Sequence, residues 1–280
     1  MTVSAAPHEP TAFDVREFAR TAQGSLRDEL DLAAIAAESL PPEVARTLAA
    51  LAALEGATMA HLRNVLVTST HKDARVTAFL VTWAFEKYWI ADALRAIVAA
   101  ATDAAGAPSG TNDARADDAL HPAASAGRGP VRRALAGFVQ GRAVVGAHLA
   151  LGYVDDRMLR GAYLRMARAS ANEALTSSVT RILRVKERHT AFFAEEAGAR
   201  LGASPRAARL ARRELRRTRW PLGSPSLAPA DRGAFAHFAF GSGSMAEELR
   251  HDILALPGMD ARTAASVTAA LATLAARPAA

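Results

Sequence analysis

Apolar residues recur at alternating steps of four and three residues in four long stretches of the chain, which is the spacing of a helix with one buried face. The stretches cover residues 43–68, 73–101, 130–170 and 171–201, and Gly202 is expected to close the last helix. The sequence contains no stretch of strand-like alternation between apolar and polar residues. The chain is therefore predicted to be all-α.

The connections between these stretches predict how the four helices are arranged. The first two are joined by a short turn and the last two by a tight one, whereas residues 102–129 are rich in Gly, Ala, Ser, Asp and Pro. We expect residues 102–129 to form a flexible crossover between the second and third helices of an up-down four-helix bundle. Residues 1–42 are predicted to form an N-terminal helical segment, and residues 202–280 an extension of short helices that packs on the bundle.

The amino-acid composition limits the cellular location and the kinds of site that this chain can have. Half of the residues are hydrophobic, yet no apolar run approaches the ~18–20 residues that span a bilayer. Acidic residues near the N-terminus (Glu9 and Asp14) and the lack of an apolar segment there argue against a secretory signal. The chain has no cysteine, which excludes disulfides, thiolate metal sites and Cys nucleophiles. We expect a cytoplasmic protein that does not act at a membrane.

The formal charge of +6 and the pI near 10.4 raise the question of a nucleic-acid partner. The densest basic stretch is 206–219, with seven Arg and one Glu. It lacks interleaved aromatic residues and any helix-turn-helix or RNP pattern. We therefore expect a solvated basic helix that packs on the bundle, with nucleic-acid binding as an alternative.

Each apolar seam is interrupted near its middle by an ionisable residue: Glu55, Lys87, Asp156 and Lys186, with His189 one turn after Lys186. The seam positions are Val44, Leu48, Leu51, Glu55, Thr58, Leu62 and Val65; Val76, Leu80, Trp83, Lys87, Ile90, Leu94 and Ile97; Val145, Leu149, Gly152, Asp156, Leu159, Tyr163 and Met166; and Leu175, Val179, Ile182, Lys186, His189, Phe193 and Glu196. An isolated buried charge costs several kcal/mol, so buried ions are paired or bound to metal. We predict that the five residues meet in one buried polar cluster; the alternative is that each is solvated at a helix edge.

Two segments carry a family resemblance. Residues 83–90 (WAFEKYWI) and 186–193 (KERHTAFF) resemble the second and fourth helices of the ferritin-like di-iron carboxylate superfamily. In that superfamily two helices supply one Glu each and the other two supply Glu-x-x-His. The resemblance covers roughly residues 43–201 and implies a ferritin-like bundle.

Compared position by position, three of the six ligand positions of that superfamily keep their chemical kind in this chain. Glu55 matches the ligand of the first helix, Asp156 matches that of the third with one methylene fewer, and His189 keeps its identity. The other three positions, where Glu, His and Glu are expected, hold Lys87, Ile90 and Lys186.

Neighbouring acids do not restore the motif. The residues three positions after Glu86 and Glu187 are Trp89 and Thr190, so neither acid begins a Glu-x-x-His. Two carboxylates and two ammonium groups cancel in charge without a metal. A charged lysine has no lone pair and would repel a divalent ion. The resemblance therefore implies a degenerate di-iron site held together by ion pairs.

The function expected from this sequence is that of a ferritin-like helical protein without a functional di-iron centre, non-catalytic and without a cofactor. Its partner would be an unidentified protein or a small apolar ligand, and the sequence leaves a homodimer open. One alternative is an oxidoreductase, oxygenase- or desaturase-like, that binds iron through Glu55, Asp156 and His189. A second alternative is a basic nucleic-acid-binding protein.

Overall fold

The computed structural model describes residues 12–104 and 141–276, and all regular secondary structure in these two ranges is helical. The α-helices are α1 (Val15–Arg20), α2 (Leu32–Ala37), α3 (Pro42–Gly56), α4 (Thr58–Leu66), α5 (Ala74–Ala104), α6 (Ala143–Ala169), α7 (Glu173–Ala203), α8 (Pro205–Arg217), α9 (Pro229–Phe240), α10 (Ser244–Ala255) and α11 (Ala261–Ala275). Short 3₁₀ turns occur at Arg27–Glu29, Ser69–Lys72 and Ser224–Ser226. The all-α prediction is confirmed.

The second and third predicted helices correspond to α5 and α6. Helix α5 continues three residues beyond its predicted end, to Ala104. The rest of the predicted crossover and the predicted start of the third helix, residues 105–140, lie outside the described residues.

The first predicted helix, 43–68, is in fact two helices. Helix α3 ends at Gly56, and Ala57 separates it from α4. Glycine is among the poorest helix formers, and the turn at Gly223 packs closely on Ala57: a Cβ at Gly223 would lie 2.7 Å from the Cβ of Ala57. The inward face nevertheless keeps its register across the break, since Glu55, Thr58 and Leu62 are all buried.

The predicted helix end at Gly202 is wrong. Helix α7 includes Gly202 and continues to Ala203, and Ser204 then takes an extended conformation. Pro205 explains the boundary, because a residue before proline is disfavoured in the α-helical region. The Ser204 side chain accepts a hydrogen bond from Ala207 N and so caps the next helix.

The four helices that carry the seams pack against one another in pairs. Helices α6 and α7 lie side by side and antiparallel, since Gly152 approaches Phe193 whereas Ala167 contacts Thr176 near the connecting turn. A Cβ at Gly152 would lie 2.5 Å from the Phe193 ring, so the glycine permits this close approach. Helix α3 packs on α5 and α6, and α5 also packs on α7.

Every seam position predicted from the sequence is buried. The buried apolar residues form two clusters. One contains Leu51, Ile90 and Ile182, and the other contains Leu62 and Phe193. In each seam the ionisable residue lies between positions of the first cluster and positions of the second.

The terminal segments cover this arrangement from outside. Helices α1 and α2 pack on α5, and α8 packs on α6 and α7 with Ala207, Ala211 and Leu215 buried. Most of the arginines of α8 are exposed, as predicted for a solvated basic helix. Both apolar clusters include residues from the N-terminal and C-terminal segments, and the division of the chain into three domains stays a prediction. No helix in the described part of the chain is long and apolar enough to cross a membrane.

Candidate functional site

Four of the predicted polar residues, one from each seam helix, form a continuous chain of ion pairs. Lys87 Nζ lies 2.8 Å from Glu55 Oε2, and Lys186 Nζ lies 3.1 Å from Glu55 Oε1. The same Lys186 Nζ lies 2.8 Å from Asp156 Oδ1. We call Glu55, Lys87, Asp156 and Lys186 the ion-pair cluster. It joins α3, α5, α6 and α7, and its formal charges cancel.

Two hydroxyl groups complete the contacts of its carboxylates. Tyr163 Oη donates a hydrogen bond to Glu55 Oε1 at 3.1 Å. Thr190 Oγ1 donates one to Asp156 Oδ2. Each of the four carboxylate oxygens therefore has at least one cationic or hydroxyl partner, which is the condition under which buried ions are tolerated.

The ion-pair cluster is almost wholly inaccessible to water, since none of its four side chains is more than 3% exposed. Burial alone would raise the pKa of Glu55, but attraction to Lys186 and Lys87 outweighs it and lowers the pKa to about 2. Burial would likewise raise the pKa of Asp156, and attraction to Lys186 lowers it. Burial would lower the pKa of Lys186, whereas its two carboxylate partners raise it. These three groups are therefore ionised at neutral pH.

The donor set does not suit a divalent metal ion. Two ammonium groups already occupy the carboxylate oxygens that would bind it, and they offer no lone pair. Ile90, which the resemblance aligns with a metal-ligand position, is fully buried in an apolar cluster. Among the described residues, no group of three or more His, Asp or Glu side chains is arranged to hold a metal ion.

His189 forms a hydrogen bond with Glu86, which is not one of the predicted seam residues. Its Nε2 lies 2.7 Å from Glu86 Oε2. Glu86 Oε1 accepts hydrogen bonds from Arg188 and, at 2.7 Å, from Gln23 N. We call Glu86, Arg188 and His189 the surface-linked group, because the Arg188 side chain is 33% exposed. His189 is therefore hydrogen-bonded to Glu86 and not to the ion-pair cluster, although Asp156 and Lys186 lie close enough for their charges to act on its pKa. That all five residues form one polar cluster stays a prediction.

The His189 ring has one unsatisfied nitrogen. Burial lowers the pKa of His189 and outweighs the hydrogen bond with Glu86, so the ring is neutral at pH 7. The Nε2 proton is then donated to Glu86, which leaves Nδ1 as an acceptor. In the described part of the chain this buried Nδ1 has no hydrogen-bond partner.

Sequence reasoning missed a second buried acid. Asp155 Oδ1 accepts a hydrogen bond from Leu222 N at 2.7 Å, and burial raises the pKa of Asp155 to about 6 although Lys87 attracts its charged form. Like Glu86, Asp155 stands one residue before a predicted seam position. A segment from outside the four seam helices donates a backbone N–H to each of these two acids.

One compositional signal marks the ion-pair cluster. The chain contains 31 arginines and only three lysines, Lys72, Lys87 and Lys186. Two of these three lie in the ion-pair cluster. A lysine presents a compact ammonium group with three donors, so it can bridge two carboxylates where a planar guanidinium would need more room. The rarity of lysine in this chain makes its use at these two positions notable.

A histidine pair lies beside the ion-pair cluster on α4 and α6. His148 Nδ1 lies 2.9 Å from Thr70 Oγ1. Burial, with a smaller contribution from Lys87, lowers the pKa of His61 to about 4. Burial, with a smaller contribution from His61, lowers the pKa of His148 to about 3. Both rings are therefore neutral at pH 7.

Comparison of the chain with protein-family models, with curated proteins and with solved structures finds no match.

Proposed function

We propose that this chain is a non-catalytic helical protein of ferritin-like architecture in which ion pairs take the place of a two-metal centre. The observation that carries the proposal is that Lys87 and Lys186 occupy the oxygens of Glu55 and Asp156 that a metal ion would need. A cofactor-free centre follows from this, and the function would be exerted in the cytoplasm through a surface that binds a partner.

The role proposed for the ion-pair cluster is to fix the register of four helices. Apolar seams alone tolerate a shift of one helix along another, whereas an unpaired buried charge costs several kcal/mol. Lys186 contacts carboxylates on two different helices, and Glu55 contacts lysines on two different helices. A shift of any one helix would separate at least one of these pairs.

The iron-dependent alternative lacks a supporting contact. It requires Glu55, Asp156 and His189 to converge on one ion. The two carboxylates are bridged by Lys186, and His189 is hydrogen-bonded to Glu86. The proposal therefore assigns no catalytic step to these residues.

Denaturant unfolding of two variants tests the role of the ion-pair cluster. Lys87→Met should lower the free energy of unfolding by about 3–5 kcal/mol, because it leaves Glu55 buried with one cation fewer. A variant with the four charges replaced by Leu or Met, and with Tyr163→Phe, should lose much less, because all the desolvation costs disappear together. The control is Lys72→Met, at the exposed lysine outside the ion-pair cluster. Its free energy of unfolding should stay within about 0.5 kcal/mol of that of the unmodified chain.

The proposal fails if Lys87→Met is as stable as Lys72→Met. It also fails if the apolar replacement of the whole cluster is less stable than Lys87→Met alone. Either result would mean that the charges are not held as mutually dependent buried pairs.

A further inference from the structure

A groove of about 890 Å³ opens at the end of the molecule away from the ion-pair cluster. Its walls come from the start of α3, the last turns of α6, the middle of α9, the start of α10 and the end of α11. On α6 its residue Arg165 lies nine positions beyond Asp156, which is about 13 Å along a helix axis. The groove is therefore a separate site from the buried charges.

The groove carries an excess of positive charge. Three arginines line it, Arg46, Arg165 and Arg168, together with one acid, Glu43. Arg46 and Arg168 are exposed, and neither forms a hydrogen bond or an ion pair with any residue of the described ranges. Two cationic side chains are thus available to a ligand.

The third arginine is held in position. Arg165 Nη1 donates to Ser242 Oγ at 2.8 Å, and its guanidinium lies 5.5 Å from the centre of the Phe238 ring. Helix α10 begins at Ser244 beside it, and no side chain caps that helix start. The free backbone N–H groups there add to the positive potential that the arginines produce.

Apart from Thr47, His237 and Ser244, the remaining wall of the groove is apolar. Phe238 and Met245 line it together with small residues of α9 and α11, among them Ala234 and Ala275. Sites for small organic ligands have this composition, a mainly apolar wall with a few polar groups that fix orientation, and the volume is in their usual range.

We propose that this groove binds an organic anion whose phosphate or carboxylate head group contacts Arg46 and Arg168 and whose apolar body lies against Phe238 and Met245. Guanidinium groups suit both head groups, because they donate paired hydrogen bonds to two oxygens of one anion. The inference concerns a site and a ligand class outside the ion-pair cluster, and it stands or falls independently of the proposed function.

Isothermal titration calorimetry with octyl phosphate, below its micelle concentration, tests the assignment. Saturable binding to the unmodified chain is expected, with octanoate binding at the same site. Inorganic phosphate should bind more weakly, because it cannot contact Phe238 and Met245, and octylammonium should not bind. Equal binding of octylammonium, or no saturable binding of octyl phosphate at millimolar concentration, would overturn the proposal.

Matched variants locate the site. Arg46→Gln and Arg168→Gln should each weaken octyl phosphate binding about tenfold, the typical effect of losing one charge-assisted hydrogen bond. Arg184→Gln, at an exposed arginine of α7 outside the groove, should change it less than about twofold. Equal effects of Arg46→Gln and Arg184→Gln would place binding elsewhere and overturn the proposal.

A sedimentation experiment distinguishes a free anion from a lipid head group. If the natural ligand is an anionic lipid, vesicles of phosphatidylglycerol should carry the chain into the pellet, and Arg46→Gln with Arg168→Gln should reduce this. If the ligand is a free anion, octyl phosphate binds and the vesicles leave the chain in solution. Pelleting that is insensitive to both substitutions would count against the groove.

Discussion

The molecule buries two glutamates completely, and it neutralises them in different ways. Glu55 is held by two lysines that are themselves buried, so its charged partners lie in the interior between the seam helices. Glu86 is held by neutral His189, by Arg188 at the surface and by a backbone N–H of the N-terminal segment. The first arrangement connects four helices through side chains that are at most 3% exposed. The second fastens an outer segment to α5 and remains partly open to solvent.

This difference in partners predicts how much stability is lost when each glutamate is substituted. The partners of Glu55 cannot reach water when it is altered, whereas Arg188 can turn outward when Glu86 is altered. The two glutamates are equally buried, so burial alone predicts that replacing either one lowers the free energy of unfolding by the same amount. The geometry of their partners predicts a larger loss for Glu55 than for Glu86.

The largest effect is expected at Glu55. Glu55→Gln keeps the shape but leaves Lys87 buried without a carboxylate, so the free energy of unfolding should fall by about 3–5 kcal/mol. Chemical denaturation measures it, with Glu248→Gln at an exposed position of α10 as the control. A loss no larger than that of Glu248→Gln would refute the description of Glu55 as a closed ion-pair site.

A smaller loss is expected at the second glutamate. Glu86→Gln should lower the free energy of unfolding by about 1–3 kcal/mol, because the hydrogen bonds to this side chain become weaker. The loss is limited because the partly exposed Arg188 side chain can turn into solvent. The same denaturation series gives the value. If Glu86→Gln costs as much as Glu55→Gln, partner geometry does not distinguish the two acids.

The two kinds of buried group also predict how stability depends on pH. Glu55, with its pKa lowered to about 2, contributes stability above pH 4.5 that is lost only as the pH falls toward 2. His61 and His148 have folded pKa values below their unfolded values, so the unfolded chain binds more protons and stability falls from about pH 6.5 downward. Asp155, with its pKa raised to about 6, opposes this trend, since its burial costs less as the pH falls toward 3.8.

Between pH 7 and pH 5 the free energy of unfolding should fall by about 1–2 kcal/mol, after allowance for the partial exposure of the His61 and His148 rings. Replacing His61 and His148 by Gln should reduce this loss, with the part due to the lowered pKa of His189 remaining, and His251→Gln, at an exposed position, should leave it unchanged. Denaturant midpoints across this range provide the measurement. Persistence of the full loss in the double variant would assign it to groups other than His61 and His148.

The smallest effect is expected at the surface end of the Glu86 contacts. Arg188 Nη1 also donates to the carbonyl oxygen of Thr21 at 3.1 Å, so it fastens the N-terminal segment. Arg188→Gln should lower the free energy of unfolding by about 1 kcal/mol. It should also accelerate hydrogen exchange at the backbone amide of Gln23. Arg184→Gln, one turn earlier on α7, is the control. Unchanged exchange at Gln23 would show that Arg188 does not hold this segment.

The sequence was sufficient to predict which positions face inward. Alternating steps of four and three residues bring one face of each helix to the same side, and the prediction survived the helix break at Ala57 because the spacing continues across it. The same spacing led to Glu55, Lys87, Asp156 and Lys186, because polar residues on an apolar seam must find each other when buried.

The sequence could not predict the contacts of Glu86 and Asp155. Each stands one residue before a seam position, on a face that a helix in an isolated bundle would expose to water. Gln23 covers the first and Leu222 the second, and both belong to segments with weak periodicity. Their burial is a consequence of how the outer segments pack, which a pattern of inward positions does not contain.

The central claim, that ion pairs replace a metal centre, is tested most directly by iron content. The unmodified chain and Lys87→Met are incubated with Fe²⁺ without oxygen, desalted and analysed for bound metal per chain. The account predicts far less than one iron per chain in the unmodified protein, because two ammonium groups occupy the carboxylate oxygens. About one iron per chain that is lost in Glu55→Gln would contradict the account and support an iron-dependent oxidoreductase.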